Sequence, residues 1–541
     1  MKKLASFLLA LILTTCMLGG LFALADETEP SEPYAYTFYY DYDWWDVYDW
    51  GTNEISLWYN EKFNVDVTLE KPDADAADAR LNLMIAGDEL PDAIIMERNA
   101  NWVKMARMGL FVPLNDFPDV MAILEEQFLP STLEELSIDG KLYGIPNWAR
   151  KAASGGNYVW MYDQRLYELC GSPKLETLED LYDFAVALRE LGTTPEGLPI
   201  IPFMSDFFEN GDGNWLAKAF YRSFGGVYPD IWYTAVDGRL QHMMRDPAFF
   251  AATMEMNRWW REGLIGETQF TDDEDMILEK MVNGRIGLMF YDFSKDEYLN
   301  YRSTLADTIP GDDIRLVKPF PFPPANGLPV EKIYGDHQST LGWNVTNITT
   351  SAEDPERIAL MWAHFLTREG TIVNMYGPQG FMWDELDEQG LPILKKPESE
   401  WTEDEMTDLG VWVYLEQCGN SDLVDGIKFA INAMLPEEQR NWVISEQSEY
   451  ITPTLWISDE FENLGLTIEG DSEQGINRTL CEDRFTEFYP QIVMAETPEE
   501  AEKLYHELLA FFDEYGMPEI EAIYDAKYQD NVARYGSGLV K

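Results

Sequence analysis

The chain has 541 residues and a formal net charge of −58, a length that predicts two or three lobes because one ordinary core does not extend so far. Hydrophobic residues make up 46% of the chain and aromatic residues 14%, so most of it has the apolar material to fold. The acidity argues against nucleic acid and anionic membranes as partners, since binding phosphates requires clustered Lys or Arg.

The N-terminus has the pattern of a secretory signal. Lys2 and Lys3 precede an apolar run from Leu4 to Phe22, and the small-residue segment Ala23 to Ala25 stands before an acidic stretch. This order predicts a signal peptide over residues 1–25 that is cleaved after Ala25. A permanent membrane anchor is the alternative, because the apolar run is nearly long enough to span a bilayer.

Two β-strands are predicted next. Tyr34 to Tyr40 is an aromatic strand, and Val65 to Glu70 alternates apolar and polar residues. The stretch between them, from Tyr40 to Phe63, is rich in aromatic residues and carboxylates. Its rings either pack in a core or overhang a ligand crevice, where aromatic faces and carboxylates suit sugar rings and their hydroxyls.

The stretch from Leu81 to Phe117 carries the strongest fold signal. A helix is predicted from an apolar face that consists of Ala77, Leu81, Met84 and Ile85. Gly87 is expected to close this helix as a left-handed cap, and Asp92 to Met96 is expected to be a buried strand. Strands that alternate with helices imply a parallel sheet, whose ligands bind beyond the carboxyl ends of the strands, where Glu97 to Trp102 would lie.

Further elements follow along the chain. One helix is predicted from Thr177 to Gly192, and another from Asp246 to Gly263 because Asp-Pro supplies a cap and a first-turn proline. Ile309 to Pro329 is rich in proline and reads as an extended connector. The strand LGWNV precedes a helix that Asp354 opens and Gly370 stops, and Thr497 with Pro498 begins the last long helix.

Cysteine and histidine give little support for a metal or disulfide framework. If Cys16 leaves with the signal peptide, Cys170, Cys418 and Cys481 remain. Their number is odd and they lack CxxC spacing, so at most one disulfide bond is possible and a metal site is not expected. The four histidines show no HExxH or comparable ligand spacing.

The order of these motifs resembles that of the sugar-type extracellular solute-binding proteins, family 1, which serve bacterial ABC importers. The matching segments are MIAGDELPDAI from Met84, GLFVPLNDF from Gly109, DGKLYGIPN from Asp139, NGRIGLMFY from Asn283 and LGWNVTNITTSAEDPERIALMWAHFLTREG from Leu341. The ending that contains AIYDAKY from Ala522 is similar to the long-chain branch of that family.

The resemblance implies an α/β, two-lobe, periplasmic-binding-protein-like fold of type II with a multi-strand hinge. Lobe I would comprise residues 26–150 and a returning segment, residues 337–379. Lobe II would comprise residues 151–336, and residues 380–541, with a C-terminal helical region, would belong mostly to it. The segment from Ser154 to Gly156 lies at the first crossing and could give it conformational freedom.

A sugar site needs flat apolar rings and polar groups that bond the hydroxyls. Loops at the predicted strand ends supply Glu97, Arg98, Asn99, Trp102, Asn147 and Trp148 from the first lobe, Trp215, Trp232, Tyr291 and Asp292 from the second, and Trp343 and Trp383 near the returning segment. The resemblance implies that the loops holding Arg98, Trp148 and Tyr291 line the cleft. The alternative for each tryptophan is a packing role.

The resemblance also implies a function. The chain would be a monomeric binding component that captures an oligosaccharide and delivers it to the permease subunits of an ABC importer, without catalysis. A peptide or another small polar solute stays open as the ligand. The alternatives are an extracellular carbohydrate-active enzyme and a surface receptor that lacks a transporter. The enzyme has little support, since 97 acidic residues produce neighbouring pairs by chance.

Two details stay open. The acidic clusters from Asp206 to Asn214 and from Asp272 to Asp275 suit calcium, although solvated loop charge is the simpler interpretation. Many proteins of the family that this chain resembles carry a lipid on a cysteine that follows the apolar segment of the signal peptide. Thr15, before Cys16, departs from the small residue expected at that position. We therefore expect a secreted or cell-surface protein at the outer face of the cytoplasmic membrane, with a lipid anchor at Cys16 as the less favoured form.

Overall fold

The computed structural model describes residues 32–42, 49–72, 77–87, 89–156, 158–205, 214–229, 231–292, 314–318, 320–325 and 327–539. The predicted signal peptide and Cys16 lie outside these residues. The strands are β1 (Tyr34–Tyr40), β2 (Val65–Glu70), β3 (Ala93–Glu97), β4 (Ser137–Ile138), β5 (Lys141–Leu142), β6 (Gly144–Pro146), β7 (Tyr158–Asp163), β8 (Ile201–Ser205), β9 (Tyr233–Val236), β10 (Arg239–His242), β11 (Ile286–Asp292), β12 (Ile314–Leu316), β13 (His337–Gln338), β14 (Asn344–Ile348), β15 (Trp383–Leu386), β16 (Pro392–Leu394) and β17 (Trp456–Ile457).

The α-helices alternate with these strands in the first part of the chain and dominate the last part. They are α1 (Glu54–Phe63), α2 (Ala77–Gly87), α3 (Ala100–Arg107), α4 (Pro118–Gln127), α5 (Pro130–Glu135), α6 (Gln164–Leu169), α7 (Leu178–Leu191), α8 (Asn214–Ser223), α9 (Pro247–Arg261), α10 (Glu274–Val282), α11 (Pro355–His364), α12 (Arg368–Tyr376), α13 (Glu403–Leu409), α14 (Leu415–Cys418), α15 (Ser421–Met434), α16 (Trp442–Glu446), α17 (Glu473–Val493), α18 (Pro498–Glu514) and α19 (Met517–Tyr535). Within the part of the chain that the structure describes, no helix has the length and apolarity needed to cross a membrane.

The first sheet has the strand order β2-β1-β3-β14-β6. β1 is parallel to β2 and β3, whereas β14 runs antiparallel to both β3 and β6. The sheet is therefore mixed and not purely parallel, because the strand that returns from the far part of the chain enters it from the opposite end. Its buried strands form the centre of a core with α1, α4 and α11.

The second sheet has the order β12-β7-β11-β8. β11 is parallel to β8 and antiparallel to β7. One face packs on α7, α8 and α9, whose apolar side chains join those of α17, α18 and α19 in a second core. A smaller cluster around Met161 and Met289 covers the other face. The two sheets, each with its own core, make the two-lobe architecture.

Several predicted elements are confirmed. β1 and β2 have the predicted bounds, and α7, predicted to start near Thr177, begins just after that residue and ends before Gly192. Asp246 and Thr497 both cap their helices through side-chain oxygens. These helices begin where the sequence predicts because a capping side chain satisfies N–H groups that have no partner within the helix.

Two predicted helix ends are wrong. Gly87 is the last residue of α2 and does not have a positive φ, so it is not a left-handed cap. Gly370 lies inside α12, whereas α11 ends at His364. Thr367 begins the new helix by accepting a bond from the backbone N–H of Gly370 at 3.1 Å. A close approach explains this glycine, since a Cβ there would lie 2.1 Å from the His364 carbonyl oxygen.

Segments cross between the lobes side by side. Ser154, on the first crossing, donates its backbone N–H to Gln338 Oε1 at 2.8 Å and accepts a bond from Gln338 Nε2 at 2.6 Å. β13, which contains Gln338, pairs in parallel with β17. Thr452, just before β17, donates its hydroxyl to the Gly155 carbonyl at 3.0 Å. Three crossing segments are thus tied laterally into the multi-strand connection that the resemblance predicted.

The packing departs from the expected division of the chain at one place. Apolar side chains between Met382 and Ile431 lie in the first core, together with those of β1 and α11. Residues from Trp456 to Tyr528 lie in the second core. Of the range 380–541, only the later part therefore packs with the second lobe. The earlier part follows α12 directly and stays against it, which no local sequence signal indicated.

Candidate functional site

The carboxyl ends of β1, β3 and β6 meet the beginning of β14 at one edge of the first sheet. Asn344, the first residue of β14, pairs with Glu97 at the end of β3, and Val345 pairs with Pro146 at the end of β6. This register brings Arg98, Trp148 and Trp343 into neighbouring positions although they are far apart in the chain. Arg98 at this edge pairs with Glu462, which precedes second-core residues, so the edge lies where the two lobes meet.

Trp343 presents an aromatic face at this edge. Its side chain is 38% exposed, and its ring centroid lies 5.3 Å from that of Tyr42, which follows β1. Its backbone is held from both sides, because its N–H donates to Asn147 Oδ1 at 3.0 Å and its carbonyl accepts the Arg98 N–H at 3.1 Å. Gly342 makes this approach possible, since a Cβ there would lie 2.2 Å from the Asn147 carbonyl oxygen.

Asn147 is fully buried and works as a scaffold. Its Oδ1 accepts backbone N–H bonds from Trp343 and also from Asn344, at 3.2 Å, and its own N–H donates to the Asn344 carbonyl. Because this oxygen serves two backbone amides, Asn147 fixes the Trp343 loop, while its buried Nδ2 has no hydrogen-bond partner among the described residues. The sequence predicted Asn147 as a ligand contact, and that role stays a prediction beside this supporting one.

Arg98 also points its donors into the protein. Its guanidinium donates to the Gly342 carbonyl from Nε at 3.4 Å and from Nη2 at 3.1 Å. The same Nη2 lies 2.5 Å from Glu462 Oε2, and Nη1 donates to Asn463 Oδ1. The side chain is therefore engaged by the loop before Trp343 and by the second lobe.

The remaining residues after β3 divide into one exposed and two structural positions. Glu97 is exposed at the end of the strand. Asn99 caps α3 by accepting the backbone N–H groups of Asn101 and Trp102 at 2.9 and 3.3 Å. Trp102 is only 2% exposed, and its Nε1 donates to Asn347 Oδ1 at 2.8 Å. Trp102 therefore belongs to the core and not to the crevice wall.

Trp148 has a backbone that is unusual for its type. Its φ is +49°, in the left-handed region that a bulky side chain rarely adopts. The ring is half-buried against Gly419, where an added Cβ would lie 2.8 Å from it. The next residue, Ala149, bonds the Gly419 carbonyl at 2.8 Å, which helps to hold this turn. A non-glycine residue in such a conformation is a reason to look for function beside it.

The other predicted aromatic positions are dispersed. Trp383 is buried, and its Nε1 donates to the Gly377 carbonyl at 2.9 Å, in the first core. Trp232 is half-buried in the second lobe, with its ring centroid 4.3 Å from that of Phe485. Trp215 lies in the first turn of α8. Tyr291 and Asp292 end β11, in register with Val159 and Tyr158 of β7.

The positive charge near the crossing is matched by carboxylates. Burial lowers the pKa of Arg150, while nearby Asp425 and Asp422 favour its charged form. Arg150 Nη2 donates to Ser421 Oγ at 2.8 Å, and Asp425 lies 2.7 Å from Lys428 and accepts the Ser154 hydroxyl at 2.8 Å. These paired groups fix the first crossing segment against α15.

The acidic clusters do not gather a metal site in the described residues, where no group of three or more His, Cys, Asp or Glu has a suitable arrangement. Asp272 accepts the Thr268 hydroxyl at 2.7 Å and pairs with Lys280. Asp273 caps α10 by accepting the Met276 N–H at 2.9 Å. Residues 206–213, which form most of the other acidic cluster, lie outside the described residues.

The sequence interpretation missed the residues that join the lobes. Gln338, Glu462 and Asn463 lie in no motif, and their partners are distant in the chain. Arg98 and Asn463 are 365 positions apart. For Tyr42 the sequence did give a signal of a ligand-binding position, because this residue belongs to the aromatic and acidic stretch after β1. Residues 43–48 of that stretch lie outside the part that the structure describes.

The fold is that of a two-lobe solute-binding protein. The profile described as bacterial extracellular solute-binding protein matches residues 58–382. The chain therefore belongs to the bacterial extracellular solute-binding protein family. Among curated proteins, no sequence matches at a significant level.

Solved structures of the same architecture cover nearly the whole chain. A solute-binding protein from Bifidobacterium longum infantis, associated with an ABC transporter and described as binding HMO, has a TM-score of 0.65 at 13% identity, and the alignment covers 92% of this chain and 99% of that one. FusA from S. pneumoniae, in complex with kestose, has a TM-score of 0.63 at 16% identity and the same coverage. The alginate-binding protein AlgQ2 has 0.61 at 16%, with 92% and 98% covered. At these identities the likeness establishes the fold.

Proposed function

We propose that the chain is the extracellular substrate-binding component of an ABC importer, which captures an oligosaccharide between its lobes and delivers it to a membrane permease. Membership of the solute-binding family supports the binding role. Several proteins of the same architecture are named for sugar ligands, including kestose, HMO and N-glycans. Delivery and not bond cleavage is the proposed activity.

The observation that carries the sugar assignment is the Trp343 ring. It is an exposed aromatic face on a backbone that is bonded from both sides, and it lies at the edge where the lobes face each other. Such a rigid apolar face suits the C–H side of a pyranose, whose hydroxyls need polar groups around it. Because the Trp343 ring, which we call the aromatic platform, is already ordered before binding, less conformational entropy is lost when the ligand binds.

The lobe arrangement supports capture by closure. Contacts from both lobes are available together only when the lobes approach, so a ligand that uses both stabilises that state. The laterally bonded crossing segments around Gln338 and Ser154 give a connection about which such motion can occur. A released sugar would then pass to a permease, although a transporter-independent receptor would share these features.

The first test is a ligand screen by thermal shift with neutral fructo-, milk- and N-glycan-type oligosaccharides and with alginate oligosaccharides. A ligand held only by the folded state raises the melting temperature by mass action. A hit is then titrated calorimetrically. We expect Trp343→Ala to raise Kd by about tenfold to a hundredfold. Phe381→Ala is the matched control, because Phe381 has nearly the same exposure, 37%, and lies in the turn before β15.

Two results would overturn the proposal. No stabilisation by any saccharide, with a peptide library giving the shift instead, would change the ligand class. Product formation from labelled oligosaccharides by the purified chain would favour the carbohydrate-active enzyme. An equal loss of affinity in the Trp343 and Phe381 variants would reject the platform while leaving the binding function standing.

A further inference from the structure

Asn463 lies between the two lobes and bonds the first lobe twice. Its Oδ1 accepts a bond from Arg98 Nη1, and its Nδ2 donates to Glu135 Oε1 at 2.7 Å. Its backbone has a φ of +57°, which places the short amide at the tip of a turn. A single side chain thus connects the loop after β3 with the end of α5.

Charged partners surround this amide on both sides. Arg98 Nη2 lies 2.5 Å from Glu462 Oε2. Glu135 also accepts a bond from Lys527 Nζ at 2.8 Å and from the Tyr535 hydroxyl at 2.6 Å. Arg98 and Glu135 side chains are each 8% exposed, so the pairs are largely withdrawn from water and are screened by it much less than surface pairs.

The partners belong to different lobes. Arg98 follows β3, and Glu135 precedes Leu136, which lies in the first core. Glu462 and Asn463 stand between Phe461 and Leu464, both in the second core. Lys527 and Tyr535 are on α19, which contributes Tyr524 and Tyr528 to that second core. Every bond in the set therefore crosses from one lobe to the other.

The set is also connected to the candidate site. Arg98 bonds the Gly342 carbonyl through its guanidinium and the Trp343 carbonyl through its backbone N–H. Arg98 therefore links the position of the second lobe to that of the loop that holds the Trp343 ring. A neighbouring interlobe contact, in which Thr340 Oγ1 lies 2.8 Å from Thr132 Oγ1 and donates to Asp459 Oδ2 at 2.7 Å, continues the same interface.

We propose that Arg98, Glu135, Glu462, Asn463, Lys527 and Tyr535 form an interlobe latch that holds the lobes in this mutual orientation and positions the Trp343 loop. Loss of one partner leaves a buried charge or amide without its bond, and separation of the lobes lets water satisfy it. Removing the latch therefore shifts the population toward separated lobes. The consequence for ligand affinity rests on the proposed function, whereas the effect on lobe separation does not.

The test measures lobe separation in the full chain without sugar. Spin labels are placed at Arg107→Cys in the first lobe and Lys503→Cys in the second, both exposed, in a Cys170→Ser background. Asn463→Gly removes both amide bonds and keeps the positive φ accessible. We expect the electron–electron distance distribution to shift to longer values and to broaden, and the Trp343 and Asn344 amides to exchange faster.

A control and a second latch variant keep the result interpretable. Asp237→Gly is the matched control, because Asp237 is also a positive-φ residue of the second lobe and lies in the exposed β9–β10 turn. Lys527→Met with Tyr535→Phe removes two donors to the buried Glu135 while conserving shape, and it should also shift the distribution to longer values. Distances unchanged in both latch variants would overturn the proposal.

Ligand measurements separate this result from the proposed function. If a saccharide found by the thermal-shift screen binds the wild type, Asn463→Gly should weaken it by about tenfold, since fewer molecules then hold the binding-competent orientation. Separated lobes with unchanged affinity would reject the link to Trp343. Separated lobes in a chain that binds no saccharide would reject the sugar function and retain the latch.

Discussion

Asn147 and Trp343 are joined by a bond from the Trp343 backbone N–H to the Asn147 side-chain oxygen, at 3.0 Å. The same oxygen serves Asn344 at 3.2 Å. One buried amide thus determines where the returning strand begins and where the exposed tryptophan ring stands. The presentation of that ring depends on a residue 196 positions earlier in the chain.

Replacing Asn147 by Ala should destabilise the fold and displace the platform. Two buried N–H groups would lose their acceptor, and we expect a loss of about 2–4 kcal/mol in the free energy of unfolding, measured in urea. Asn283→Ala is the control, since its amide bonds the Glu279 carbonyl at the exposed end of α10, and it should cost less than about 1 kcal/mol. Equal losses in the two variants would contradict the scaffold role.

Trp102 and Trp343 should respond oppositely to truncation although both were predicted as ligand contacts. Trp102 is buried and bonds Asn347, so Trp102→Ala should cost about 3–5 kcal/mol of unfolding free energy. Trp343→Ala should cost less than about 1.5 kcal/mol, because much of the ring already faces solvent. Urea titrations of both variants decide the matter, and a larger loss for Trp343 would place that ring in the core.

Local signals made part of the fold predictable. β1 and β2 follow from alternation and aromatic content, and α7 follows from Thr177 and Gly192, whose effects act within one turn of the helix. Gly370 misled because a close approach of the His364 carbonyl requires its small size, whereas Gly87 is the last residue of α2 and does not have a positive φ. A glycine predicts a left-handed stop only where no close contact requires its small size.

The location of the site, at one edge of the first sheet, could be predicted from the sequence, but the side chains that form it could not. Strand order implied that loops after β3 and β6 would meet, and Trp343 was a candidate because it precedes the returning strand. Burial then distinguishes the exposed Trp343 from the buried Trp102 and Trp383, a difference that residue type alone does not predict. Asn463 had no signal at all, because both of its partners come from the other lobe.

The free cysteines should differ in reactivity toward alkylation. Burial raises the pKa of Cys481 to about 11 and that of Cys418 further, and Cys170 is only partly buried. Because the thiolate reacts, brief iodoacetamide treatment at pH 8 should modify Cys170 first, and all three in urea. Peptide mass spectrometry measures the extent, and Cys170→Ser is the control that should stay unmodified when folded. Equally fast modification of folded Cys418 would contradict its burial.

His242 should make the fold sensitive to mild acid. It is buried at the end of β10, where its ring accepts the Met244 N–H at 3.2 Å and lies 4.6 Å from the Phe512 ring. Burial, with Arg245 nearby, lowers the pKa of His242 from 6.5 to about 3. The unfolded chain therefore takes up a proton below about pH 6.5 that the folded chain refuses until about pH 3, so stability falls as pH decreases through this window.

The expected size follows from the linkage of protonation to folding. Between pH 7 and pH 5.5 the His242 contribution to the free energy of unfolding should decrease by about 1 kcal/mol. Urea titrations at both pH values measure this change in the wild type and in His242→Asn, which cannot titrate but retains an acceptor. Carboxylates shared by the two proteins cancel in the difference. His506→Asn, at an exposed position of α18, should behave as the wild type, and an identical pH dependence in His242→Asn would show that this histidine is not the source.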